Sequence, residues 1–241
     1  MNTQILLTEF EKVKRKGFIK TINQNDNGVG RTFEELLGIR ENTFGYADYY
    51  GIEIKCTSNN EERFITLFSL EPESLNGNVI TKIAISYGYK DKKYNEYNVL
   101  NTFVNANKTK YISLDYKATL YIDSKRINLL VYDKYEFLVD YSAAWTIERL
   151  FEKIINKCMY LAVIKSTRKK FGNCYYVRYD SINIYKFKNI DIFIKAIEKG
   201  IIIISFKISL RNKKGTICHH NHGTSFMIKN KDIPKVFEKI S

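Results

Sequence analysis

Proline is almost missing from this chain: Pro72 and Pro234 are the only two in 241 residues, too few for a proline-rich linker. The four cysteines, Cys56, Cys158, Cys174 and Cys218, form no CxxC pair and no framework spacing. That argues against a disulfide scaffold and a thiol-only zinc site, and reduced thiols are expected. Long hydrophobic runs are absent as well. The longest, "GIIIISF" at residues 200–206, is far too short to cross a bilayer. No N-terminal stretch joins a basic start to an apolar run and a small-residue cleavage site. The expectation is a cytoplasmic protein without a membrane partner. Internal repeats are missing too.

What is present is apolar and basic. A hydrophobic content of 44% with 14% aromatics can bury a core as one large domain or as two lobes. Lys and Arg number 39 against 26 Asp and Glu, a formal charge of +13. Such a balance favours an acidic partner such as nucleic acid. The chain is also rich throughout in Lys, Asn, Ile and Tyr, so charge alone fits a compositional bias equally well.

Periodicity organises the rest. "TQILLTEFEKVKRKG" (3–17) places Ile5, Leu6, Phe10 and Val13 on one helical face and closes at Gly17. The loop "INQNDNGVGRT" (22–32) leads into "TFEELLGI" (32–39), where Thr32 and Glu35 read as a capping box and Gly38 as a terminator. "YGIEIKC" (50–56) and "RFITLFSL" (63–70) alternate as neighbouring strands, and "KATLYID" with "RINLLVYD" reads as a hairpin. "AAWTIERLFEKIINKC" (143–158) reads as a helix with Trp145, Ile147, Leu150, Phe151, Ile154 and Ile155 along one side. "MYLAVIKS", "CYYVRY" and "IIIISFKISL" read as strands. "NIDIFIKAIEKG" reads as a helix closed by Gly200, and "KDIPKVFEKI" as a terminal helix capped by Asp232. With no regular βαβ alternation, the fold class is α+β around a mixed central sheet flanked by helices.

One stretch breaks the apolar pattern. In "ADYYGIEIKC" (47–56), strand alternation puts Glu53 and Lys55 on one face, with Ile52, Ile54 and Cys56 on the other. Asp48 arrives from the preceding turn. Asp48 and Glu53 supply two hard oxygen ligands of the kind Mg2+ prefers, and the Ile54 carbonyl a third. Lys55 beside them can orient a water and offset negative charge on a phosphate. A D-x4-E-x-K pattern therefore makes sense as a phosphodiester hydrolysis site, although an ion pair on a solvated strand edge has the same spacing. Glu34, on the helix upstream, is a candidate extra carboxylate, whereas Glu35 is the better cap.

The ordered series "GVGRTFEELLGIRENTFGYADYYGIEIKC" (28–56) resembles the N-terminal signature of the MvaI/BcnI restriction endonucleases, which are similar in turn to the mismatch-repair nickase MutH and share the PD-(D/E)xK nuclease fold. Gly28, Gly30, Thr32, Glu34, "LLGI", "EN", Asp48 and "GIEIK" carry the match. "EKGIIIISFKISLRNKKGTICHHNHGTSFMI" (198–228) resembles the family's C-terminal strand and "HG-T-x-F" segment. Between about residues 75 and 140 the likeness is loose. The resemblance implies Mg2+ bound by Asp48 and Glu53, a catalytic Lys55 and an acidic helix residue, Glu34. Ala47 replaces the proline of the named motif, which is not a ligand.

All three histidines, His219, His220 and His222, lie beside Cys218. On an extended chain His220 and His222 share a face that His219 leaves, so a zinc cluster, a solvated loop and base recognition all remain open. The resemblance favours recognition, with the imidazoles reaching guanine in the major groove and Arg211, Lys213 and Lys214 meeting phosphates. "KSTRKKFGN" (165–173), with Lys165, Arg168, Lys169 and Lys170, is either a backbone-contacting loop or a solvated hairpin tip. Arg31, beside the Glu34 helix, is a candidate phosphate contact.

The combined expectation is a Mg2+-dependent, sequence-specific endonuclease of double-stranded DNA, a type II restriction enzyme. Two lobes are expected around a DNA cleft: residues 1–164 catalytic and 165–241 for recognition, with an approximate boundary and intertwined chains. By resemblance it acts as a monomer that nicks the strands in turn, alongside a companion methyltransferase. A MutH-like repair nickase and a DNA-binding module without catalysis are the alternatives.

Overall fold

The computed structural model of the chain describes residues 2–25, 27–39, 45–73 and 77–241. Two compact units interleave along the sequence. One comprises Met1–Ile65, Ile154–Asn189 and Lys229–Ser241, the other Thr66–Lys153 and Ile190–Ile228. Both mix helices with sheet, and the fold is α+β.

The first unit is built on a mixed sheet. The strands run in the order Ile19–Lys20, Cys174–Phe187, Tyr160–Phe171, Ile52–Thr57, with the short Phe237–Lys239 strand pairing Cys174–Phe187 as well. Tyr160–Phe171 and Cys174–Phe187 form a long antiparallel hairpin turned at Gly172. Ile52–Thr57 joins Tyr160–Phe171 in parallel, with Glu53 opposite Leu161 and Lys55 opposite Val163. Parallel pairing needs a long crossover, which is why residues a hundred positions apart become neighbours.

The helices Asn2–Lys14 and Gly28–Leu36 contribute to the apolar core of this sheet: Leu6, Phe10, Val13 and Phe33 meet Ile52, Ile54, Val177 and Tyr179. Ile5, expected on the buried face, is 42% exposed instead. Phe33 is wholly buried, with its ring 4.9 Å from Tyr179 and 6.3 Å from Phe10. The Tyr179 hydroxyl donates to the Val29 carbonyl at 2.7 Å. Phe33→Ala is expected to destabilise the fold by about 3–5 kcal/mol. Urea melts read this directly, and a loss under about 1 kcal/mol would contradict the packing assigned to the ring.

In the second unit, Phe64–Ser69, Thr216–Lys229, Ile202–Lys213, Asn98–Val104 and Tyr89–Lys90 make one sheet, in that order. The other is Lys110–Tyr111, Tyr116–Ile122, Arg126–Asp133, Leu138–Thr146. The expected Tyr116–Ile122 and Arg126–Asp133 hairpin forms, and Asp123 accepts the Lys125 and Arg126 amides at its turn.

Four sequence expectations are corrected. Ile52–Thr57 and Phe64–Ser69, expected as sheet neighbours, lie in different sheets, because Ile52–Thr57 pairs with Tyr160–Phe171 instead. The capping box fails because the helix starts at Gly28, so Thr32 lies inside it. Its hydroxyl donates back to the Gly28 carbonyl at 2.7 Å and accepts the Ile22 amide. A β-carbon on Gly28 would fall 2.6 Å from the Asn23 carbonyl oxygen, so this position requires glycine. Gly38, at φ 70, does terminate the helix.

The helix expected from Ala143 begins at Ile147. Trp145 belongs to a strand, opposite Ile127, fully buried, with its indole donating to the Leu70 carbonyl at 2.9 Å. The terminal helix shrinks to Ile233–Val236, and Phe237–Lys239 is extended against Cys174–Phe187. Asp232 makes no cap and pairs with Lys235 at 2.7 Å. The "EN" step at 41–42 lies outside the described residues.

Candidate active site and recognition hairpin

The D-x4-E spacing has a local cause. Tyr49 and Ile52 exchange both backbone hydrogen bonds, at 3.0 and 2.9 Å, across Tyr50 and Gly51. Those two residues have φ of 46° and 84°, as the two central positions of a type I′ turn require. A reversal this tight lays Asp48 back along the strand it precedes. Asp48 Oδ2 accepts the Ile54 amide at 3.0 Å. The acid from the turn and the acid on the strand are thereby held together, and Ile54 is fixed to Asp48 through its N–H.

Glu53 is the buried member, with 1% of its side chain exposed. Its Oε1 lies 2.5 Å from Lys55 Nζ, and Lys55 is 24% exposed. Its Oε2 lies 2.7 Å from Lys157 Nζ. Among the described residues this oxygen has no directed hydrogen bond, so the Lys157 contact is an ion pair by proximity. Lys157 also reaches Asp48 Oδ1 at 3.1 Å and the Tyr46 carbonyl at 2.8 Å.

Burial pushes the Glu53 carboxyl up to about 7, with Lys55 lowering it, Asp48 raising it and Lys157 lowering it. Burial would depress the Lys157 ammonium, but its close contacts with the negative carboxylates of Glu53 and Asp48 outweigh that, and its affinity for protons rises. Perturbed groups clustered in this way are a mark of functional sites.

Glu34, on the Gly28–Leu36 helix, stands in the same field. Its carboxyl is raised by burial and by Asp48, with Lys55, Lys157 and Arg31 opposing. Among the described residues no three His, Cys, Asp or Glu side chains form a ready metal cage. The donors are nevertheless right for a hard divalent cation: two carboxylates close to one ammonium, and a buried oxygen, Glu53 Oε2, without a directed donor. The residues fit such a cation.

Lys157 had no signal in the sequence. It is one lysine among many in the last turn of an amphipathic helix, Ile147–Cys158, and its role depends on the parallel pairing of Tyr160–Phe171 with Ile52–Thr57. The Ala47 amide donates to the Asn156 carbonyl at 3.2 Å and fixes the helix end to the residue before Asp48.

The histidines lie on the hairpin of Ile202–Lys213 and Thr216–Lys229 in the second unit. As alternation dictates, the His220 and His222 rings meet, with centroids 4.4 Å apart. His222 Nε2 shares a 2.7 Å hydrogen bond with Ser209 Oγ. His219 turns elsewhere, its Nε2 2.8 Å from the Asn98 carbonyl and its ring edge-on to Tyr97. Arg211 and Lys213 are exposed towards the hairpin tip, where Lys214 and Gly215 both have positive φ.

Beneath the histidines, Glu71 accepts the Thr224 amide at 2.7 Å and the Asn221 side-chain amide at 3.2 Å. These contacts brace the bend at Gly223, φ 95. Lys169 is exposed on the other hairpin, 5.0 Å over the Phe18 ring. Arg31 is an exposed residue of the Gly28–Leu36 helix, not of the loop before it.

This geometry has relatives. The structure of the restriction endonuclease MvaI–cognate DNA substrate complex matches with a TM-score of 0.89 at 28% identity, covering 98% of this chain and 96% of that one. MvaI in the absence of DNA matches with a TM-score of 0.64 at 28% identity, covering 99% and 96%. No curated protein sequence matches. The model of the MvaI/BcnI restriction endonuclease family matches residues 7–237. Since nearly every described element lies within that match, the chain belongs to the MvaI/BcnI restriction endonuclease family and is a site-specific DNA endonuclease.

Proposed function

We propose that this endonuclease hydrolyses phosphodiesters of double-stranded DNA at a specific sequence with Mg2+, acting as a monomer that nicks the two strands in successive events. The observation that carries the reading is the convergence of Asp48 and Glu53 on one point, with Lys55 paired to Glu53. That the solved relative MvaI was captured with cognate DNA supports duplex DNA as the substrate.

Asp48 and Glu53, with the Ile54 carbonyl, would hold the cation, which supplies charge neutralisation at the scissile phosphate and a lowered pKa for the attacking water. Lys55 lies beside that position and orients the water for in-line attack. Glu34 is a further acid at the edge of the site, suited to a hydrogen bond from a water there. The first unit carries this chemistry. The second presents His220 and His222 to base edges and Arg211 and Lys213 to phosphates, while Lys169 and Arg31 add phosphate contacts from the first. His219 is given the smaller part of supporting the hairpin through Asn98. A companion methyltransferase that protects host DNA completes the reading.

Digestion of long unmethylated DNA with Mg2+, followed by sequencing of the ends, tests it. Discrete fragments sharing one terminal sequence are expected. Random degradation, or persistent single-strand nicks without second-strand cleavage, would overturn the restriction reading, the latter in favour of a repair nickase.

A further inference from the structure

We propose that Lys157 is a positioning residue that occupies the oxygens of Asp48 and Glu53 and competes with the divalent cation for them, so that it sets how tightly the site takes metal. This rests on the metal-dependent reading above.

The contacts leave little freedom. One ammonium lies 2.7 Å from Glu53 Oε2, 3.1 Å from Asp48 Oδ1 and 2.8 Å from the Tyr46 carbonyl. It therefore engages both candidate ligands and the backbone two residues before Asp48. The lysine side chain is 18% exposed, so the pairs are partly shielded from water and stronger than surface pairs.

The fold delivers it there twice over. The Ala47 amide is pinned to the Asn156 carbonyl, one residue before Lys157. Tyr160, three residues after it, starts the strand that pairs in parallel with Ile52. A cation at the last turn of a helix is favourable in itself. Lys55 meets the other oxygen of Glu53, and Glu34 completes the charged set. Three acids thus face two lysines, of which Lys157 alone is in contact with both Asp48 and Glu53 among the described residues.

Any divalent cation that uses Asp48 Oδ1 and Glu53 Oε2 has to share those oxygens with Lys157 or move it. A residue kept only for packing or helix stability makes no such demand. Removing it for that reason would loosen the acid pair and weaken metal binding. Removing a competitor has the opposite sign.

Ca2+ titration of the full-length protein without DNA, by calorimetry, separates the two. Lys157→Met, which keeps the chain length and removes the charge, is expected to bind Ca2+ about tenfold more tightly. Lys157→Arg, which keeps the charge, should return to the wild-type affinity. Unchanged or weaker binding by Lys157→Met would overturn the proposal. Should that variant not fold, the wild-type protein answers alone: saturating Ca2+ should speed reductive methylation of Lys157, read by peptide mass spectrometry, severalfold over other lysines. An unchanged or slower rate would equally count against it. Asp48→Asn separates the layers. Equal Ca2+ binding by wild type and Asp48→Asn would remove the metal reading and this inference with it. Weakened binding by Asp48→Asn beside an unaltered Lys157→Met would remove the inference alone.

Discussion

Asp48→Ala and Lys55→Ala should each slow single-turnover cleavage of a specific duplex by about a thousandfold or more, and for different reasons. Asp48 contributes one of the two carboxylates, accepts the Ile54 amide and pairs with Lys157. Its loss should abolish specific Ca2+ binding along with turnover. Lys55 is no ligand; it stands beside Glu53 with 24% of its side chain exposed. Its loss should leave Ca2+ binding and cognate DNA binding within a few fold of wild type while the chemical step fails. Rates within tenfold of wild type for either variant would show that the cluster is structural. Cognate DNA binding retained in Ca2+, measured alongside, keeps a folding defect from passing as a catalytic one.

The half of the candidate cluster that lies in one continuous stretch was legible in the sequence as neighbours, and the half assembled by strand pairing was not. Glu53 and Lys55 declare themselves because strand alternation places them together against Ile52 and Ile54, and Asp48 because a positive-φ turn at Tyr50 and Gly51 folds it back. The pairing of His220 with His222, and the departure of His219, followed from the same period of two. Lys157 could not be found in this way. Its partners are 104 and 109 positions upstream by number, and only the parallel register of Tyr160 with Ile52 brings them close.

The errors in secondary structure share a physical origin. Residues 143–146 have the apolar content of a helix, but Ala143 and Trp145 are buried alternately and pair across to Leu129 and Ile127. A helix period and a strand period cannot be told apart over four residues, and tertiary pairing decided between them. At Thr32 the capping signature was present, but the contact between Gly28 and Asn23 lets the helix begin a turn earlier. The Thr32 hydroxyl then bonds back to the Gly28 carbonyl.

Glu53 should make the protein more stable in acid than in base when chelator is present. Burial, opposed by Lys55 and aided by Asp48, raises its carboxyl from 4.5 to about 7 in the folded chain. The folded state therefore binds the proton more tightly than the unfolded state does. The stability this contributes is fully present below about 4.5 and is lost as pH rises through about 7. Across that window the loss is on the order of 3 kcal/mol.

Thermal melts in EDTA from pH 5 to 8.5 should show this fall for wild type. Glu53→Gln, neutral at every pH, should remove that slope and melt higher than wild type at pH 8, yet cleave no DNA. With limiting Mg2+, the wild-type cleavage rate should drop about tenfold per pH unit below 7, since a proton and the cation contend for one carboxylate. Parallel melting profiles for wild type and Glu53→Gln would refute the assignment. The charge that would make Glu53 a metal ligand is thus the charge the fold tolerates least, and such a buried carboxylate is favoured at neutral pH by a cation, lysine or metal, in contact with it.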